Sequence, residues 1–201
     1  MKFSIFIVIF DKLKIMNMKR FIISLTMLLA ATTMLLAQEA SKKYGLKSGT
    51  ITTVSEVMGQ KIESKGYFDD YGNLQVSKAN TFGMEISTIL RDGKTYVVNH
   101  SAKQVQQMPV QETINYLDLS DEIISKYKIQ EAGKETVSGK ECVKYTLEVS
   151  QMGQTAQLTV CVWQGFPMKT VTRANGMEVV ATITEITECE VEPSLFEVPS
   201  F

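Results

Sequence analysis

The sequence predicts a mainly β (α+β) domain, an antiparallel meander with one apolar face and a small helical cover. Three observations carry this reading. After Gln38 the dominant hydrophobic period is two; turn signals recur at short spacing; and one stretch, residues 111–127, departs from that period. The composition agrees with an ordinary globular chain, at 44% hydrophobic and 21% charged residues in a total of 201.

Taken in order, Thr50 to Met58 is rich in β-branched residues and ends at Gly59-Gln60. Lys61 to Phe68 follows, then the turn-rich Asp69-Asp70-Tyr71-Gly72-Asn73. Leu74–Thr81 and Met84–Arg91 are the next strands. Asp92-Gly93 then predicts a tight hairpin into Lys94–Asn99, because both central positions of a type I′ turn need φ > 0. In 111–127, Ile114, Leu117, Ile123, Ile124 and Tyr127 recur at spacings nearer three and four. Ser120 stands where an N-cap opens a helix, with Asp121 and Glu122 in its first turn, so one or two short helices are expected. Strands resume at Ile129–Val137, with Ser138-Gly139 as the next turn.

The C-terminal third predicts a register. Asn175-Gly176 pairs Ala174 with Met177 and sets Arg173 against Glu178, an opposite-charge cross-strand pair. Thr172, Thr170 and Met168 then face Val179, Ala181 and Ile183. Around Met152-Gly153, pairing Gln151 with Gln154 brings Leu147 to Leu158, Tyr145 to Val160 and Val143 to Val162. That register gathers the apolar residues of both strands on one face and leaves Lys144, Thr146 and Glu148 on the other.

The N-terminus reads as an address. Met18-Lys19-Arg20 precedes an apolar run, Phe21 to Ala37, in the layout of a secretory signal peptide. Residues 1–37 are thus expected to be an over-long start plus signal, with translation beginning at Met18 or Met16, and 38–201 a single exported β domain. An uncleaved anchor built from 21–37 is the alternative; at 17 residues it sits at the short limit for a membrane span. With cleavage, no stable membrane span is expected. Residues 38–201 carry 16 basic and 21 acidic groups, a net of −5. An acidic domain without a basic stripe is not a nucleic-acid binder, since phosphate contacts need clustered Lys and Arg.

Catalytic signals are sparse. The single histidine, His100, excludes a multi-His metal or acid–base site, and there is no Gly-rich phosphate loop, Gly-x-Ser-x-Gly elbow or His-Glu-x-x-His helix. Neither cofactor, metal nor enzymatic activity is expected. Asp69-Asp70 with Asn73 lacks the spaced oxygen ligands of a calcium loop. Glu188, Glu190 and Glu192 alternate as if on one strand face. Cys142 and Cys161 fall on diagonal positions of adjacent strands, near the reach of a disulfide, with small buried thiols as the other reading; Cys189 lies past the last pairing. Met58, Met84, Met108, Met152, Met168 and Met177 supply adaptable thioethers to the domain.

Several motifs resemble one superfamily. Gly133-Lys134-Glu135-Thr136-Val137-Ser138-Gly139-Lys140-Glu141-Cys142 is similar to a recurring strand–turn–strand of periplasmic lipoprotein-carrier-like (LolA/LolB-like) proteins. Val162-Trp163-Gln164-Gly165-Phe166-Pro167-Met168-Lys169 resembles their turn between neighbouring strands, and Pro193-Ser194-Leu195-Phe196-Glu197-Val198-Pro199 their closing segment. Tyr67-Phe68-Asp69-Asp70-Tyr71-Gly72 looks like a motif of an uncharacterised branch. Together these span the chain from about Tyr44 to its end.

The resemblance implies a curved, unclosed antiparallel sheet, a half-barrel whose concave side is plugged by short helices. It also implies a cavity for acyl chains there, lined by Val143, Tyr145, Leu147, Leu158, Val160, Val162, Met168 and Ile183, with Ile114, Leu117 and Ile124 from the plug. Neither domain arginine, Arg91 or Arg173, matches a carrier's functional arginine, and no lipid-anchor cysteine stands near the signal. Three functions follow. The protein binds a lipid, an acylated protein or another apolar ligand of the cell envelope. Otherwise it is an envelope interaction module with a filled core and a protein partner. The weakest reading is an enzyme using His100.

Overall fold

Tight turns set the strand order. Asp92-Gly93 takes φ of 51° and 68°, and Asn175-Gly176 takes 52° and 75°. Each therefore closes a two-residue hairpin whose twist suits the flanking strands. The computed structural model describes residues 42–57, 59–81, 83–109, 114–151 and 154–201. The expected signal segment and start, Met58, and the Met152-Gly153 turn lie outside them.

The strands are β1 (Gly49–Val57), β2 (Gln60–Asp69), β3 (Leu74–Thr81), β4 (Met84–Arg91), β5 (Lys94–Asn99) and β6 (Gln104–Gln107). After helix α1 (Asp121–Tyr127) come β7 (Gln130–Val137), β8 (Lys140–Gln151), β9 (Gln154–Trp163), β10 (Phe166–Ala174) and β11 (Met177–Glu188). Single 3-10 turns cover Asp70–Gly72 and Pro193–Phe196. All eleven strands join one antiparallel sheet in the order β6-β5-β4-β3-β2-β1-β11-β10-β9-β8-β7. The sheet is curved and unclosed, with β6 and β7 as its edges, and α1 lies against β8 on the concave side.

The order follows from the sequence. All eleven strands fall into two meanders of short connections, β1–β6 and β7–β11, and β1 joins the meanders by pairing with β11. The hairpin registers are those expected from the turns: Arg173 opposes Glu178, Tyr145 opposes Val160, and Leu147 opposes Leu158. Ser120 Oγ accepts from the Ile123 amide at 3.3 Å, and Lys128 ends the helix in the left-handed conformation.

One strand is additional and one expectation is corrected. Residues 104–107 form an extra edge strand, for which Gln-Val-Gln-Gln carries no alternating pattern. Glu188 is the last residue of β11, so Glu190 and Glu192 do not share a strand face with it. The backbone leaves the sheet there: the Cys189 amide donates to Ser48 O at 3.4 Å, and Ser48 Oγ donates to Cys189 O at 2.9 Å.

The apolar interior divides into three clusters. Ile114, Ile129, Leu147, Val160 and Val162 form one beneath the helical segment. Val76, Ile89, Val98 and Phe196 form another, where the C-terminal segment crosses β3 and β4. Tyr44, Phe68, Val137, Cys142, Cys161, Phe166, Met168 and Ile183 form the third. Burial therefore changes face along the sheet. On β4 both faces are covered, since Ser87, Thr88, Ile89 and Leu90 are all buried.

Candidate ligand-binding face

The strand registers align side chains into rows across the concave face. One row runs Ile62, Ser55, Ala181, Thr170, Val160, Tyr145 and Glu131, from β2 through β1, β11, β10, β9 and β8 to β7. The next runs Gln60, Val57, Val179, Thr172, Leu158 and Leu147. Because side chains alternate between faces, the intervening positions point outward. Those outward positions carry the charge: Lys61, Glu63, Glu56, Glu178, Arg173, Lys169, Lys144 and Glu148. Between Gln60 and Leu147 neither row holds a charged residue.

The concave face has two chemical halves. On β8 and β9 it is apolar, and the helical segment packs over it. Ile114 and Ile129 are buried with Leu147, Val160 and Val162, while Tyr116, Leu119, Ile123, Ile124, Tyr127, Tyr145, Val149 and Leu158 pack around them half-buried. The Tyr116 and Tyr145 rings stack at 5.9 Å and 28°. Burial, then the neighbouring Tyr145, pushes the Tyr116 hydroxyl well above the ordinary phenol range, so it stays neutral. On β1 and β10 the face is lined by hydroxyls instead: Thr53, Ser55, Thr170 and Thr172 are all buried.

An aromatic cluster closes around Phe68, Met168 and Ile183. Tyr44 stacks on Phe166 at 4.0 Å and 16° and meets Phe68 edge-on at 5.5 Å. The Tyr44 hydroxyl donates to Gln75 Oε1 at 3.1 Å. The Lys43 and Tyr44 amides both donate to Tyr71 O at 3.0 Å, and the Gly45 amide donates to Gln164 O at 2.9 Å. Gly165 lets this entry segment pass, since a Cβ there would strike the Lys43 carbonyl.

The sequence-predicted face residues are thus distributed unevenly. Ile114, Leu147, Val160 and Val162 meet beneath the helical segment, with Tyr145, Leu158 and Ile124 at their margin. Val143 is half-buried opposite Val162. Met168 and Ile183 belong to the aromatic cluster. Leu117 is 45% exposed beside Gly165, where Asn115 Oδ1 accepts from the Leu117 amide at 3.0 Å and turns the chain. Tyr116, its neighbour, is the inward residue that pattern reasoning missed. The hydroxyl half was visible in part, as Thr170 and Thr172 facing Ala181 and Val179.

On the outer face, Glu135 bridges Lys144 at 2.6 Å and Lys169 at 2.7 Å, tying together β7, β8 and β10. Hydrogen bonds from Lys144 and then Lys169 hold its carboxyl near 2. Cys142 and Cys161 are buried free thiols, and Cys189 is exposed and free. Burial pushes the Cys161 thiol up to about 11, so it stays protonated. His100 Nε2 lies 2.8 Å from Ser87 Oγ, and its ring meets Phe201 edge-on at 6.3 Å. Among the described residues no group of three or more His, Cys, Asp or Glu side chains is placed to hold a metal ion, and no helix is long and apolar enough to cross a membrane.

Solved structures share this architecture. An uncharacterized conserved protein from Thermus thermophilus superposes with a TM-score of 0.55 at 11% identity, over 80% of this chain and 91% of that one. MucB in its complex with MucA, from Pseudomonas aeruginosa, superposes with a TM-score of 0.54 at 14% identity, over 80% of this chain and 58% of that one. This chain thus spans about three fifths of the length of MucB. No family model matches the chain, and no curated protein matches it in sequence. The likeness is one of fold: a curved, unclosed antiparallel sheet with few helices.

Proposed function

We propose that this protein is an exported cell-envelope binding protein that takes an acyl chain, an acylated protein or another apolar ligand into its concave face. The observation that carries the reading is the segregation of charge. The outer face bears the ionised side chains, while the rows inside are uncharged between Gln60 and Leu147 and apolar on β8 and β9. The ligand contacts are Leu147, Leu158, Val160, Val162, Tyr145, Val143 and Ile114, with Met168 and Ile183 further along the face. Each buried methylene contributes about 0.8 kcal/mol before ordering costs, so a short stretch of chain suffices for useful affinity. Residues 18–37 serve as the secretory leader, with Met18 as the start and 1–17 as an over-long beginning, and 38–201 form the carrier-like domain of an envelope compartment.

The test compares Leu147→Glu and Val160→Glu with Lys61→Glu on the exposed outer face, all checked for folding by circular dichroism. The two concave-face changes are expected to abolish uptake of a neutral apolar dye, and Lys61→Glu to leave it intact. Equal effects from both kinds of change would sink the proposal.

A second reading is favoured by one observation, that the similarly folded MucB is solved bound to MucA. In that reading the concave side is a filled core and a protein partner docks on the envelope domain. A dye that never enters the folded wild-type protein would select it.

A further inference from the structure

The concave face holds one polar atom that the rest of the protein leaves unanswered. Thr172 is 2% exposed, and its Oγ1 is shielded from solvent with no hydrogen-bond partner. Among the described residues it is the single buried side-chain oxygen or nitrogen in that condition. A buried hydroxyl without a partner costs about 1–3 kcal/mol, so its place in the face calls for a polar group to meet it.

Its surroundings define that group. In its row Thr172 stands between Leu158 on β9 and Val179 on β11, with Leu147 beyond Leu158. Adjacent strands lie about 4.8 Å apart. A chain packed on Leu147 and Leu158 therefore brings its polar end to Thr172 within one strand spacing. The neighbouring row repeats the design, with Thr170 between Val160 and Ala181 and Ser55 one strand further. Neither row offers a cation or an anion between Gln60 and Leu147. An ionised carboxylate or ammonium buried there would lose its hydration without a counter-charge, whereas an ester, amide or hydroxyl needs only hydrogen bonds.

We propose that Thr172 is the centre of a neutral polar subsite, which receives the uncharged ester or amide linkage of an acylated ligand whose chain lies on the β8–β9 half of the face. The inference rests on the acyl-binding reading and adds a selection rule to it: esterified chains bind and free fatty acids are refused.

The test uses displacement of the neutral dye N-phenyl-1-naphthylamine from the purified protein at pH 8, with 1-monolauroylglycerol and laurate as competitors. The wild type is expected to bind the dye and to prefer the monoglyceride over laurate by at least about tenfold. Thr172→Val replaces the hydroxyl with a methyl of the same size. It is expected to weaken the monoglyceride about five- to tenfold more than it changes dye affinity. Thr172→Ser, which restores a hydroxyl, is expected to recover most of that loss. If the dye binds but the two competitors displace it equally, or if Thr172→Val keeps the preference, the subsite is overturned while acyl binding stands. If the wild type binds neither dye nor competitors, the acyl-binding reading falls and takes the subsite with it.

Discussion

Two covered regions of the same sheet are built differently. On the concave side of β8 and β9 the cover is the segment 114–129, whose helix α1 buries none of its own residues fully and packs through half-buried Ile123, Ile124 and Tyr127. On the outer side of β3–β5 the cover is the C-terminal segment, which drives Phe196 in to 1% exposure beside Val76, Ile89 and Val98. The first cover rests on its surface as a lid would, while the second is anchored as a plug. The first cover lies over the apolar half of the uncharged rows, and the second seals the outer face. Local stability follows such differences in burial, and moving elements come from its low end.

The largest effect is expected from breaking the plug. Phe196→Ala should cost about 3–4 kcal/mol of unfolding free energy in urea, as large aromatic truncations in cores do. A loss below about 1 kcal/mol would show that the C-terminal segment is no part of the core. Beneath the lid, Leu147→Ala should cost less, about 2–3 kcal/mol, and should also weaken dye binding. Equal costs without any change in dye binding would erase the distinction between the two regions.

Loosening the lid itself is a smaller change. Ser120→Ala removes the hydroxyl that caps the Ile123 amide and should cost about 1 kcal/mol. Hydrogen exchange should then quicken at Ile123 and Ile124 and stay unchanged at Ile89 and Val98. Uniform acceleration would mean that lid and plug unfold together.

The smallest effect is expected on the outer face. Glu135 is held near 2 by Lys144 and Lys169, below its ordinary 4.5. Its folded carboxyl thus ionises more readily than its unfolded one. The stabilisation is complete above about pH 4.5 and is lost as pH falls towards 2. For a partly exposed network this amounts to about 1 kcal/mol. Glu135→Gln should be less stable than wild type at pH 7 by about that amount, with the difference closing below pH 4.5. A pH-independent gap would assign the loss to packing instead.

Much of this architecture was legible because it is local. Asp92-Gly93 and Asn175-Gly176 demand their hairpins, the second sets Arg173 against Glu178, and the alternation of β8 and β9 puts Tyr145, Leu147, Leu158 and Val160 on one face. What the sequence concealed depends on distant partners. Phe196 lies about a hundred residues from the strands it covers, so the double burial of β4 has no local sign. The short edge strand β6 pairs only because β5 is already in place. Alternation sets the strand face of Ile183, but its place in the core with Met168 and Phe166 of β10 is set by Tyr44 and Phe68, which arrive from two other places in the chain. Tyr116 packs inward and Leu117 outward because both lie in a turn held by Asn115, which accepts from the Leu117 and Asp118 amides, and a periodicity count cannot register that.

The central claim, that the uncharged concave face holds an apolar ligand, is tested most directly by native mass spectrometry of the protein purified from its own cells. The account predicts an added mass that solvent extraction removes and that is absent from a folded Leu147→Glu variant. A bare protein mass, unchanged after incubation with lipids, would contradict it.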